Sequence, residues 1–186
     1  MTVSATRLLV TSRSRLVQLS LAVAGSLLLW LSAKVQVPFY PVPMTMQTFA
    51  LLLLAASTGR IGVAAVALYL LEGAFGLPVF AGTPEKGLGL AYMTGPTGGY
   101  LLGFLLAAAF VAWMAEKGWM QGFVSRLVVM GIGAALIYLP GLAWLSAFIG
   151  FDKAVAFGLM PFIYGDLLKV LLAAVALQAA WRLKKA

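Results

Sequence analysis

The sequence predicts an all-α polytopic membrane protein: a six-helix bundle with both termini in the cytoplasm, formed by a single integral-membrane domain over residues 1–186. Composition is the first reason, because 63% of the residues are hydrophobic and only 10% are charged, against about 25% charged in soluble domains. The division of the sequence into long apolar segments is the second reason. A span needs about 20 apolar residues, so six spans use nearly the whole chain and leave no room for an extramembrane enzyme domain.

Apolar runs, and the helix-breaking residues between them, predict where each helix begins and ends. Residues 34–43 contain three prolines, which exclude helix, and Thr58-Gly59-Arg60 predicts a tight turn. Residues 77–97, rich in Gly and Pro, form the longest predicted loop, and Pro140-Gly141 predicts a kink. Asp152-Lys153 predicts a short outer turn. The predicted helices are 15–33, 44–57, 61–75, 98–115, 123–148 and 156–183.

The distribution of basic residues predicts the orientation. With the N-terminus inside, nine Lys and Arg residues fall on the cytoplasmic side and three on the outer side, as the positive-inside rule requires. The outer three are Lys34, Lys86 and Lys153. The inner nine are Arg7, Arg13, Arg15, Arg60, Lys117, Arg126, Arg182, Lys184 and Lys185. Lipid headgroups therefore account for the net charge of +8, and no nucleic-acid partner is predicted.

The residue types that the sequence lacks exclude several kinds of catalytic and metal site. The chain has no Cys and no His, which removes thiolate chemistry, imidazole metal ligands and the commonest general base. The glycine-rich stretch 95–99 lacks the Gly-Lys-Ser/Thr of a P-loop, so it predicts no nucleotide site. We expect neither a catalytic residue nor a metal site nor a cofactor, and the chain is not predicted to be an enzyme.

Asp166 and Lys169 are the most informative residues. A charge in the bilayer core costs about 2.5 kcal/mol or more, and a spacing of three places both side chains on one helix face. They are expected roughly 8–14 Å down the last helix, in the outer half of the membrane. Two interpretations stay open: an ion pair that holds helices together, or a site for a ligand that carries both hydrogen-bond donors and acceptors.

Further candidates lie near the same level. Gln47 can donate and accept, although an interhelical hydrogen bond explains it equally well. Glu72 faces either headgroup water or the same cavity as Asp166. Tyr100 opens the fourth helix and places a hydroxyl near the outer surface. Four aromatic residues belong either to the interfacial belt or to the wall and lid of a ligand site: Phe39, Tyr40, Phe80 and Tyr92.

The first helix carries two overlapping pairs of small residues, Ser20/Ala24 and Ala22/Ser26. Spacing of this kind lets another membrane helix approach closely. The pairs are candidates for a partner-docking face, and the sequence leaves homo-oligomerisation open.

Four motifs in this order resemble the BioY family, the biotin-binding S-components of energy-coupling-factor (ECF) transporters: PVPMTMQT (41–48), GAFGLPVFAG (73–82), GPTGGYLLGF (95–104) and GDLLK (165–169). The resemblance implies a substrate-binding domain in the bacterial cytoplasmic (inner) membrane that captures biotin from outside. It implies a site closed by the loops 34–43 and 77–97 and lined by Gln47, Tyr100, Asp166 and Lys169.

The resemblance also implies partners, namely a transmembrane coupling subunit that docks on the first helix and ATPase subunits. Biotin's ureido ring would offer N–H groups to Asp166 and a carbonyl to Lys169, or Lys169 would instead pair with the valerate carboxylate. The alternatives are an S-component or facilitator for another small vitamin, and a structural subunit of a membrane assembly.

Overall fold

A computed structural model describes residues 14–183. Ser14 caps the first helix with its side chain. Four of the predicted cytoplasmic basic residues lie outside the described residues: Arg7, Arg13, Lys184 and Lys185. The helices are α1 (Arg15–Lys34), α2 (Gln47–Thr58), α3 (Arg60–Ala74), α4 (Gly89–Met93), α5 (Gly98–Glu116), α6 (Phe123–Ile149), α7 (Phe151–Gly158) and α8 (Ile163–Leu183), with a 3₁₀ turn at Met160–Phe162 between the last two.

The all-α class is confirmed. Within residues 14–183, four helical stretches are long and apolar enough to cross a membrane: Arg15–Lys34, Gly98–Glu116, Phe123–Ile149 and Phe151–Arg182. The helix Gln47–Thr58 is apolar but shorter. It packs against α8, α5, α3 and α1, so this short helix lies in the centre of the bundle.

The second helix begins three residues later than predicted. Two strands, β1 (Gln36–Val37) and β2 (Met44–Thr45), pair antiparallel, and the Met46 amide donates to the Val35 carbonyl at 3.0 Å. The prediction of helix from residue 44 was wrong because these hairpin hydrogen bonds hold that backbone extended.

The last predicted helix is not continuous, and Pro161 explains why. Proline has no N–H for the carbonyl four residues earlier, and its ring clashes with that carbonyl. The helix therefore stops at Gly158, passes through the 3₁₀ turn and restarts at Ile163. The expected outer turn at Asp152-Lys153 was also wrong: these residues lie in the first turn of α7, and Gly150, at a φ of 81°, makes the turn.

The remaining boundaries agree with prediction within a residue or two. The segment 77–97 is largely irregular but includes the short helix α4. The helix α6 continues through Pro140. At the tight turn between α2 and α3, the Glu116 carboxylate at the end of α5 accepts from the backbone N–H and the Nε of Arg60, both at 3.3 Å.

Glycine permits the close crossing of α5 and α6. A Cβ at Gly103 would lie 2.5 Å from the carbonyl oxygen of Ile137 and 2.7 Å from its Cα. These are backbone atoms, which cannot rotate out of the way as a side chain could. Gly131 on α6 is a natural control, because nothing lies within 4 Å of a Cβ built there.

We predict that Gly103→Ala lowers the thermal unfolding midpoint of the detergent-purified protein, because the added methyl must push α5 and α6 apart. Overpacking of this kind costs about 1–3 kcal/mol. Gly131→Ala should leave the midpoint unchanged or raise it slightly, since alanine is the better helix former. Equal midpoints for the two variants would contradict the close crossing.

Candidate functional site

A cavity lies where the hairpin, the loop 77–97 and the five helices α2, α3, α5, α6 and α8 meet. It encloses about 570 Å³ not filled by protein atoms, including the part open to solvent. Ten side chains on its wall carry hydrogen-bonding groups, and the others are apolar. The wall consists of Val42, Pro43, Thr45, Gln47, Thr48, Tyr69, Ala81, Tyr92, Thr97, Tyr100, Leu101, Phe104, Ile137, Tyr138, Phe162, Asp166 and Lys169.

The ion pair lies in this wall. Lys169 Nζ donates to Asp166 Oδ1 at 2.9 Å, and both residues are buried, with 6% and 8% of their surface exposed. The Tyr138 hydroxyl on α6 donates to Asp166 Oδ2 at 2.5 Å. Each carboxylate oxygen keeps a free lone pair, and Asp166 is the only partner of the Lys169 ammonium among the described residues. The pair can therefore still accept from and donate to a ligand.

The break before α8 determines where Asp166 lies. Asp166 was expected roughly 8–14 Å down the last helix, but it occupies the first turn of α8. The positive end of a helix dipole stabilises a carboxylate in that turn. The broken helix thus gives the buried charge a favourable position that an unbroken helix would not have supplied.

A second polar group comes from Gln47 at the start of α2. Its Nε2 donates to the Tyr69 hydroxyl at 2.7 Å, and Tyr69 in turn donates to the Val79 carbonyl at 3.2 Å. Its Oε1 accepts from Thr45 at 3.2 Å. One Nε2 proton has no partner among the described residues, so Gln47 can donate into the cavity.

The hydroxyls of Tyr100 and Tyr92 bind backbone. Tyr100 was expected to place its hydroxyl near the outer surface, yet that hydroxyl is buried and donates to the Gly158 carbonyl at 2.9 Å. Tyr92 donates to the Ala81 carbonyl at 2.8 Å, and burial raises the pKa of its hydroxyl. Both residues therefore offer the cavity mainly their rings.

Lys34, at the end of α1, ties the long loop in place. Its ammonium donates to the carbonyls of Pro78, Phe80 and Thr83 at 2.9, 3.2 and 3.3 Å. The sequence assigned this lysine only to the outer side. Its three carbonyl partners fix the segment that carries Ala81 and supports the wall of the cavity.

Four predicted site residues do not line the cavity. Phe80 is fully buried behind the wall, between the rings of Tyr69 and Tyr92. Phe39 contacts the ring of Phe162 from outside, and Tyr40 is 87% exposed. Glu72 points towards α1, where it accepts from Ser26 at 2.9 Å. Sequence reasoning placed these residues at the right level but could not give the direction of their side chains.

Four further residues of the cavity wall were not predicted from the sequence as site residues: Tyr138, Tyr69, Thr97 and Phe162. Tyr138 and Tyr69 are single tyrosines inside apolar runs (LIYLPG and LYLLEG). A hydroxyl in such a run needs a buried partner, and this is the signal that could have found them. Thr97 and Phe162 lie in segments whose course depends on the turns before α5 and α8, so their positions required the fold.

The small residues of α1 divide between two faces. Ala22 and Ser26 are buried; Ser26 donates to Glu72 on α3, and a Cβ at neighbouring Gly25 would lie 2.6 Å from that of Ala65. This pair therefore serves packing within the chain, and its assignment to a partner-docking face was wrong. Ser20 and Ala24 are exposed on the other side of the helix.

Fold and cavity together define a class: an all-α membrane protein with a cavity, lined by polar, aromatic and apolar side chains, beneath the hairpin and the loop 77–97. Comparison with known proteins gives the family. The family model described as the BioY family matches residues 4–186, and the chain belongs to this family.

Several relatives and one solved structure are consistent with this family. The chain is 41% identical over 160 residues to "Biotin transporter BioY" of Thermotoga maritima, covering 85% of this chain and 90% of that protein. It is 39% identical to "Probable biotin transporter BioY" of Pyrococcus horikoshii, covering 82% and 86%. Its fold is that of the S-component for biotin from an ECF-type ABC transporter, with a TM-score of 0.80, 22% identity and 95% of both chains covered.

We predict that Asp166→Asn and Lys169→Met each lower the stability of the ligand-free protein, because each leaves the opposite charge buried without its partner. The expected loss is about 3–5 kcal/mol. The double variant should recover much of it, since no unpaired charge remains. Thermal unfolding of the four proteins measures the coupling. A double variant that loses the sum of the two single losses would contradict a mutually dependent pair.

Proposed function

We propose that this protein binds biotin in the cavity beneath the two loops and is the substrate-capture S-component of an ECF-type transporter. The observation that carries the proposal is the buried Asp166–Lys169 pair on the cavity wall of a BioY-family chain. An ion pair kept in a membrane bundle next to an open cavity still has acceptors and donors to offer. Membership in this family also supports the expectation that the protein is not an enzyme.

Biotin's functional groups match the groups on the wall. Its ureido ring has two N–H donors and one carbonyl, and it would lie against the pair so that Asp166 accepts from an N–H while Lys169 donates to the carbonyl. Gln47 would supply a further donor. The rings of Tyr92, Tyr100 and their apolar neighbours would contact the thiophane ring and the aliphatic tail. A different small vitamin is the alternative ligand, and competition decides between the two.

Transport then requires partners. The chain has no nucleotide-binding motif, so ATPase subunits and a transmembrane coupling subunit would drive uptake. We propose that the exposed small residues Ser20 and Ala24 on α1 form the docking face, and a copy of this chain could occupy the same face. ATP hydrolysis by the isolated chain would contradict its role as a capture subunit.

We further propose six spans in the bacterial cytoplasmic (inner) membrane with both termini inside. The support is the excess of basic residues at one end and the cavity loops at the other. The central helix α2 and the helix α3 have 12 and 15 residues, so these two spans would require a locally thinned bilayer or flanking residues that reach the interface.

We predict that the purified protein binds labelled biotin, that unlabelled biotin displaces it, and that equal excesses of riboflavin and thiamine do not. Asp166→Asn and Lys169→Met should each weaken binding about 10- to 100-fold, because each removes a hydrogen bond from a charged group. Equilibrium binding in detergent or nanodiscs measures both effects.

The matched controls are Asp152→Asn and Lys153→Met. These make the same chemical changes at adjacent exposed residues of α7, and they should leave biotin affinity unchanged. Absence of displaceable binding would overturn the proposed ligand. Wild-type biotin affinity in both Asp166→Asn and Lys169→Met would overturn the proposed site, while biotin would remain the proposed ligand.

We predict that Lys169 acts on the ureido end of biotin, because its Nζ lies 2.9 Å from Asp166 Oδ1 and one ring can contact both groups. Lys169→Met should then weaken biotin and its neutral carboxamide by the same factor. A loss confined to biotin, with carboxamide affinity unchanged, would instead assign Lys169 to the valerate carboxylate.

A further inference from the structure

A buried arginine lies at the start of α6, far from the cavity. Arg126 is 4% exposed and donates from Nε to the Met120 carbonyl and from a terminal nitrogen to the Gln121 carbonyl, both at 2.9 Å. Its other terminal nitrogen donates to the side-chain oxygen of Gln178 on α8. Three of the five guanidinium N–H groups are used, and every one of these partners is neutral.

No acidic side chain neutralises this charge. The chain has five acidic residues, and all five lie within the described residues: Glu116 pairs with Arg60, Asp166 pairs with Lys169, Glu72 binds Ser26, and Glu85 and Asp152 lie in the loop 77–97 and in α7. Burial of an unpaired charge is costly. An anion from outside the chain would lower that cost.

A cleft beside Arg126 is suited to an anion. It contains about 520 Å³ of unfilled space, including the part open to solvent, and it is lined by Gln121, Arg126, Gln178, Trp181 and Arg182. The wall thus carries two guanidinium groups, two amides and no carboxylate. Trp181 places its ring 5.0 Å from the Arg126 guanidinium carbon, which holds that group in orientation.

The cleft lies at the end of the bundle away from the cavity. Arg126 precedes Tyr138 by about 18 Å along α6, and Gln178 follows Lys169 by about 13 Å along α8, at 1.5 Å per residue. Trp181 and Arg182 lie in the last turn of α8. Tryptophan and arginine are typical of the level where the bilayer meets water, and basic clefts between helices at that level bind lipid headgroups.

We propose that this cleft binds the phosphate group of an anionic phospholipid. The phosphate oxygens would accept from the two unused N–H groups of Arg126 and from Arg182, a bidentate arrangement that guanidinium groups favour. The acyl chains would follow the apolar surface of α6 and α8. A zwitterionic lipid would bind more weakly, because its ammonium group would face two arginines.

The test is thermal unfolding of delipidated protein in mild detergent with added phosphatidylglycerol, phosphatidylcholine or inorganic phosphate. Phosphatidylglycerol should raise the midpoint by about 5 °C at saturation, and the other two should raise it by less than half as much. An equal shift with phosphatidylcholine would overturn the proposal, and an equal shift with inorganic phosphate would replace the lipid by a free anion.

Two substitutions distinguish lipid binding in the cleft from a general effect of positive charge on the surface. Arg182→Gln changes an exposed side chain, so it should leave the lipid-free midpoint unchanged and at least halve the phosphatidylglycerol shift. Lys117→Gln, which removes an exposed cation after α5, should keep the full shift. Equal phosphatidylglycerol shifts in the Arg182→Gln and Lys117→Gln proteins would overturn the cleft as the lipid site. This comparison holds even if the Arg126→Gln protein is too unstable to purify.

Discussion

The cost of keeping Asp166 and Lys169 buried governs the architecture around them. Two opposite charges in a helical bundle are tolerated only with good geometry and further hydrogen bonds. The protein supplies three such features: direct contact at 2.9 Å, a hydroxyl from Tyr138 at 2.5 Å, and the positive end of α8. The third depends on Pro161, because without the break before α8 the carboxylate would lie inside a helix. A cavity then remains beside groups that still have hydrogen bonds to make.

Side chains that bind backbone carbonyls hold the outer segments over that cavity. Lys34 binds three carbonyls of the loop 77–97, Tyr92 and Tyr69 each bind one more, and Tyr100 binds the carbonyl that ends α7. Backbone carbonyls that are buried from water need hydrogen-bond partners within the protein. The same bonds thus satisfy loop carbonyls and hold the rings of Tyr69, Tyr92 and Tyr100 in the wall of the cavity, which links the stability of the loops to the shape of the cavity.

The two ends of the bundle have contrasting chemistry. At the cavity end, a neutral ion pair and hydroxyl groups suit an uncharged ring such as the ureido group. At the other end, Arg126 and Arg182 line a cleft without carboxylates, which suits an anion. This difference between the two ends suits a capture subunit that binds its solute at one end of the bundle and is anchored in the lipid at the other end. The exposed side of α1, with Ser20 and Ala24, runs between the two ends and is available to a partner.

The sequence by itself determined the membrane class, most helix boundaries and part of the cavity wall, because hydropathy, proline and an intramembrane Asp-Lys pair are local signals. It identified Asp166, Lys169, Gln47, Tyr92 and Tyr100 as site candidates, and the structure places all five on one cavity wall. Only the tertiary structure decided side-chain direction: Glu72 and Ser26 bind each other, Phe80 stacks behind the wall, and Tyr138 reaches Asp166 from another helix. These outcomes depend on how each helix is rotated against its neighbours. In a chain that is apolar on nearly every face, hydrophobic periodicity does not specify that rotation, whereas packing and the pairing of buried polar groups do.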